Sequence, residues 1–226
     1  MASPRVPWNL RDVLVVHLLR LAGGYVVVRF IYPLLFTAPP PVVEVTDRLI
    51  VVALVWYAVR RHGANLAAWG LSTRHLGRNM AGGLAAGVAL LAVSIFSERL
   101  YVTAFLISPS QHPLVARIAT AASWHDLILP LVLAGLAAPL AEELLYRLFT
   151  FTALRDRFGL WGGAVASAAI FAIFHFNVYW LAEMIVVGTG LALLYHYSGS
   201  LLTAITAHSF VNTAKILLLY FKVPLV

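Results

Sequence analysis

At 226 residues, 62% of them hydrophobic and 11% charged, with a mean hydropathy of +0.88, the chain is far more apolar than the roughly 45–50% usual for a soluble domain. A water-soluble fold is excluded. No cysteine is present, so thiol catalysis, Cys-ligated zinc, iron–sulfur clusters and disulfides are excluded too. The net charge of +7 reads as loop arginines that fix topology, and no nucleic-acid partner is expected.

At roughly 20 apolar residues per span, the length predicts an all-α polytopic bundle of about seven transmembrane helices, between six and eight, forming one integral membrane domain over 1–226. The first span runs from Val13 to Phe36 and is interrupted by Arg20 and Arg29. Arg20 breaks the clean apolar core of a cleavable signal, so this helix is expected to be retained. Three prolines between Thr37 and Val42 predict a loop, because proline lacks the donor a helix interior needs. A short second span from Asp47 to Val59 ends in Arg60-Arg61-His62. Four arginines and no acid lie between Arg60 and Asn79, which places that loop, and with it the N-terminus, on the cytoplasmic side. Trp69 and Leu71 are expected at the membrane interface.

Small residues from Ala81 to Gly87 predict close helix packing in the third span, which ends near Glu98-Arg99. The stretch from there to Asp126 is placed outside. The fourth span, about Leu127 to Phe151, returns to a basic turn, Arg155-Asp156-Arg157-Phe158-Gly159. The remaining spans are expected at Leu160–Phe176, Leu181–Tyr197 and Leu201–Tyr220.

Seven of the nine acids (Asp12, Glu44, Asp47, Glu98, Asp126, Asp156 and Glu183) fall at expected span ends or in loops, where water is available. Glu142 and Glu143 do not. They lie inside the fourth span with Arg147, and each unpaired charge there costs about 3 kcal/mol. Glu143 and Arg147, four apart, share a helix face and are expected to pair, while Glu142 lies about 100° round and stays free. Pro139 is expected to kink the helix and turn Glu142 toward a cavity. Phe171-Ala-Ile-Phe-His175 and His208-Ser-Phe-Val-Asn212 place polar groups one turn apart on two further spans. His17, His125 and His196 read as packing or span-end residues, and His62, His75 and His112 as solvated.

Counting 1.5 Å per residue puts Glu142 about 21 Å and His175 about 28 Å from the turn at Asp156, but His208 only about 12 Å from Ser200. Either the Ser198–Ser200 turn is re-entrant or the boundaries shift.

In order and spacing, Glu142-Glu143-Leu-Leu-Tyr-Arg147, Phe171–His175 and His208–Asn212 resemble the motifs EExxxR, FxxxH and HxxxN of the CAAX prenyl endopeptidase and bacteriocin-processing (CPBP, or Abi) family of intramembrane proteases. The resemblance is strong from about Leu127 to Asn212, taken as the core, and weak before it; Leu148 stands where many members have glycine. It implies that Glu142 and His175 activate a water, that His208 and Asn212 stabilise the oxyanion, and that Glu143, Arg147 and Phe171 support the site. A serine mechanism is disfavoured, because Ser209 lies beside His208 and no separate triad is visible. No cofactor is expected. Zinc on Glu142, His175 and His208 is the alternative, disfavoured because no outer-shell acceptors are identifiable and Glu143 is committed to Arg147. The implied partners are a membrane-associated protein or peptide substrate and the bilayer, in a prokaryotic inner membrane. A proton-coupled transporter or a non-catalytic membrane scaffold is the competing class, although no internal repeat is evident.

Overall fold

The computed structural model describes residues 5–223 apart from 109 and 111. Seven main helices build it: α1 (Leu10–Leu35), α2 (Pro40–Arg61), α3 (Leu76–Phe105), α4 (124–158), α5 (160–173), α6 (Leu181–Ser198) and α7 (Leu201–Tyr220). A 3₁₀ turn, Leu66–Trp69, and a short helix, Pro113–Ala119, lie between them, and there is no strand among the described residues. Helices α4 and α5 form one 50-residue run, broken where Gly159 takes φ 74° and ψ 176°. That backbone region is open to glycine and strained for other residues. Counting this run once, five stretches are long and apolar enough to cross a membrane. Large apolar side chains such as Leu34, Phe96 and Trp161 point outward, as an integral membrane bundle requires.

The proline run is not a loop throughout. Pro39 caps α2 in extended geometry, and Pro40 and Pro41 form its first turn, where backbone N–H groups have no helical acceptor and proline loses nothing. The second span therefore begins at Pro40 instead of Asp47. At the other end, α5 stops at Ile173, short of the expected Phe176. His175 lies beyond its helix, and the Ser198–Ser200 turn is covered by the loop before α3, where the Leu201 N–H donates to the Gly70 carbonyl at 2.9 Å and the Tyr195 hydroxyl donates to the Trp69 carbonyl at 2.6 Å. Trp69 is half-buried and packs its ring edge-on against Trp8 at 5.3 Å, at the margin of the core.

Helix α4 is the axis of the bundle. Every residue from Glu143 to Phe151 is buried, and α1, α2, α5, α6 and α7 all touch this segment. Two stretches, Leu131–Ala137 and Glu143–Phe151, are wound as π-helix. The Ala138 N–H bonds to the Leu133 carbonyl five residues back. The next donor in that register belongs to Pro139, which has none, so the Ala134 carbonyl is left over; the Asn212 amide donates to it at 2.9 Å. Pro139 thus sits in a widened helix with a side-chain donor from α7 in place of its own N–H. Further along, Ser167 donates to the Tyr146 carbonyl at 2.7 Å and the Trp8 indole to the Phe149 carbonyl at 2.9 Å.

The small residues of α3 do pack closely. A Cβ at Gly83 would stand 2.6 Å from the Thr206 Cβ and 2.7 Å from the Thr203 carbonyl oxygen, and one at Gly87 would meet the Phe210 ring at 3.0 Å. Helices α3 and α7 approach almost backbone to backbone there.

Beyond this contact, the structure overturns the solvated placement of Glu98 and Glu183. Both are buried. Lys215 on α7 pairs with Glu183 at 2.8 Å and with Glu98, and the Ser94 hydroxyl donates to Glu183. A lysine inside an apolar helix needs such partners, and two carboxylates from α3 and α6 supply them.

Two outcomes follow for stability in detergent. Gly83→Ala should lower Tm, at a cost of about 1–3 kcal/mol from overpacking. Gly82→Ala should leave it unchanged or slightly raised, since its Cβ meets only the Thr203 methyl at 3.9 Å; equal effects would refute the close contact. Lys215→Met should destabilise by about 3 kcal/mol, because two buried carboxylates lose their cation. Adding Glu98→Gln and Glu183→Gln should recover most of that loss in thermal unfolding.

Candidate active site

Glu142 ends the short α-helical stretch Ala138–Glu142, and the π register begins at Glu143. Short π segments are frequent at functional sites, and this one runs for nine residues. The two neighbouring carboxylates separate as helical geometry requires. Glu143 is fully buried, whereas the Glu142 side chain keeps 22% of its surface open.

The structure brings Glu142, His175 and His208 together. One Glu142 oxygen lies 3.7 Å from the His175 Nε2 and the other 3.7 Å from the His208 Nε2. Each imidazole is fixed through its other nitrogen. The Nδ1 of His175 lies 2.7 Å from the Phe171 carbonyl, and that of His208 lies 2.8 Å from a Glu143 oxygen. Both partners are acceptors only, so each Nδ1 carries a hydrogen and each ring turns its Nε2 toward Glu142.

Glu143 serves two partners and not one. Its second oxygen lies 3.3 Å from the Arg147 Nε, as the four-residue spacing predicted, but its first is taken by His208. Arg147 extends to the Gly188 carbonyl on α6 at 3.4 Å and lies over the Phe171 ring at 4.8 Å. That ring is the steric hub of the site, with centroids 4.5 Å from His175, 5.1 Å from Tyr146 and 6.0 Å from His208.

Asn212 sits one turn beyond His208 and spends one amide hydrogen on the Ala134 carbonyl, leaving a second hydrogen for another acceptor. His17 bonds the Thr150 hydroxyl at 3.0 Å, the interhelical packing role expected of it. His62 pairs with Asp12 at 3.2 Å and His112 accepts from the Leu114 N–H.

One polar group at the site went unread in the sequence. Arg20 on α1 is held by both oxygens of Asp47 on α2, at 2.7 and 3.0 Å, and donates to the Tyr146 hydroxyl at 3.0 Å. Arg20 was taken as an interruption and Asp47 as a span-end acid. The available signal was a membrane arginine followed by an acid on the next helix, the pairing such a charge demands.

With this geometry in view, comparison with known families is informative. No curated protein matches the chain, and no solved structure does. Residues 124–214 match the Rce1-like family, described as type II CAAX prenyl endopeptidase Rce1-like. The resemblance read from the three motifs therefore holds over α4 to α7, and it supports an intramembrane endopeptidase of the CAAX type in general terms. The segment carrying Glu142, His175, His208 and Asn212 is thus similar to the type II CAAX prenyl endopeptidase Rce1-like family.

Proposed function

We propose that the protein is a glutamate-type intramembrane endopeptidase that hydrolyses a peptide bond of a membrane-associated protein or peptide. The observation that carries this reading is the Glu142 carboxylate, partly open, with one oxygen facing the Nε2 of His175 and the other that of His208. At 3.7 Å neither contact is a direct hydrogen bond, and a water lodged against these groups would be polarised by all three.

In the proposed reaction Glu142, oriented with His175, takes a proton from that water. The water oxygen bonds to the scissile carbonyl carbon, and the carbonyl oxygen takes up the negative charge. His208, protonated and with Glu143 as counter-ion, and the free amide hydrogen of Asn212 stabilise that oxygen. The C–N bond then breaks as the proton held by Glu142 passes to the leaving amine. Arg147 holds Glu143, and Phe171 holds His175 through its carbonyl and ring. The arginine-rich loop between Arg60 and Asn79 orients the chain with its N-terminus in the cytoplasm.

Zinc on Glu142, His175 and His208 is the competing chemistry. The sequence argument against it loses one leg, because Glu143 and the Phe171 carbonyl are the outer acceptors that zinc-bound imidazoles require. The spacing argues the other way. Among the described residues no group of three or more His, Asp or Glu side chains is set to hold an ion, and Glu142 divides its oxygens between the two rings.

Glu142→Gln should reduce cleavage about 10²–10⁴-fold, the worth of a general base, with an unchanged unfolding profile. Glu143→Gln should lower both activity and folded yield, since it strips Arg147 of its buried counter-ion and His208 of its orienting acceptor. Wild-type rates from Glu142→Gln would refute the mechanism. A strong chelator should leave activity intact; stoichiometric zinc by elemental analysis, with loss to chelator and restoration by zinc, would make the three residues ligands instead.

A further inference from the structure

Helices α1 and α2 diverge to leave a cavity of about 300 Å³ that none of the three motifs accounts for. Its walls are apolar and come mainly from α1: Leu21, Gly24, Tyr25 and Val28, with Val43 opposite on α2. Its polar lining is Arg20, Thr46 and Asp47. On one side it is closed by Phe174 and Phe176, the residues immediately before and after His175.

Several features tie this cavity to the hydrolytic centre. Arg20 reaches from it to the Tyr146 hydroxyl, and Tyr146 stands one helical turn beyond Glu142 against the ring of Phe171. The gap is open where it matters, since a Cβ built at Gly24 meets no atom within 4 Å. Phe176 takes a left-handed backbone, φ 49°, and projects outward with 82% of its surface exposed. Bulky residues seldom adopt that conformation, and here it sets the Phe176 ring edge-on at 6.4 Å to Phe174, whose own ring stacks on His17 at 5.3 Å.

We infer that the cavity between α1 and α2 is the specificity pocket of the protease, receiving a large apolar side chain of the substrate residue that flanks the scissile bond. The inference rests on the proteolytic reading proposed above. An extended peptide advances about 3.3 Å per residue, so a residue flanking a carbonyl held at Glu142 and His175 places its side chain within reach of Phe174 and Phe176. The Arg20–Asp47 pair neutralises itself, so the pocket offers no uncompensated charge to a charged side chain, and burying such a side chain there is penalised. The guanidinium hydrogens not used by Asp47 and Tyr146 suit the carbonyl groups of a peptide backbone, whereas the Thr46 hydroxyl donates to the Val42 carbonyl of its own helix.

The test varies the flanking residue in membrane-reconstituted fluorogenic peptides through Ala, Leu, Phe, Asp and Lys. Wild type should favour Leu and Phe over Asp and Lys. Gly24→Leu should lower kcat/KM for the Phe peptide about tenfold or more while sparing the Ala peptide, the discrimination a filled apolar pocket yields. A uniform loss across all peptides, or an unchanged preference, would overturn the pocket. A second measurement does not depend on turnover. The chain has no cysteine, so Gly24→Cys combined with Glu142→Gln carries one thiol inside the cavity. The Phe peptide should slow its reaction with a maleimide several-fold and the Lys peptide should not; equal rates with both would again overturn the assignment. If wild type cleaves none of the peptides and no protection is seen, the proteolytic reading falls with it. Cleavage by wild type that Glu142→Gln abolishes, with Gly24→Leu indistinguishable from wild type, removes the pocket alone.

Discussion

A carboxylate with no exposed surface, Glu143, sets the terms for the rest of the site. Ionised in an apolar bundle it needs a cation and hydrogen-bond donors at close range, and it draws Arg147 from its own helix and a ring nitrogen of His208 from α7. Arg147 then requires acceptors of its own, which brings in the Gly188 carbonyl on α6 and the face of Phe171 on α5. Meeting the needs of one buried charge therefore draws four helices to one point. Glu142, the next residue back, faces the opening that remains, with two imidazoles already oriented.

The π-helical winding of α4 serves the same end. Three backbone carbonyls along it are docking points for other parts of the chain: Ala134 for Asn212, Tyr146 for Ser167, Phe149 for Trp8. Each of these contacts fixes a neighbour's rotation as well as its distance. The helix that carries the carboxylates is thus held by hydrogen bonds on several sides, which preorganises the groups facing the cavity.

What could be read from sequence divides by whether the partner lies on the same helix. Glu143 with Arg147, and Phe171 with His175, are four residues apart, and helical spacing alone joins them. The small residues near Gly83 announced a close contact without naming Thr203 and Thr206 across it. Lys215 with Glu98 and Glu183, Arg20 with Asp47, and His208 with Glu143 join residues that only the packed bundle brings together. Glu98 and Glu183 were assigned to water because they stand near helix ends, yet a helix end is solvated only if nothing packs over it. The proline run misled for a local reason, since a first helical turn tolerates what an interior forbids. The alternation of α and π winding in α4 has no simple periodic signature, so it was beyond reach, although Pro139 marked where one donor would be missing.

The motif-bearing segment is not self-sufficient in polar partners. Thr150 is met by His17, the Tyr146 hydroxyl by Arg20, and the Phe149 carbonyl by Trp8, all from the first 20 residues of the chain. In a solvent that offers no hydrogen bonds, the two hydroxyls would otherwise lose these partners inside the bundle, at a cost of several kcal/mol apiece, while the Phe149 carbonyl keeps the Thr152 hydroxyl as a second donor. The N-terminal helices thus complete the polar interior of α4, and they also supply most of the walls of the α1–α2 cavity. In the proposed reading the chemistry is carried by α4, α7 and the end of α5, and selection of what reaches it falls to α1 and α2, which must at the same time keep His17 and Arg20 against α4 and the gap at Gly24 open.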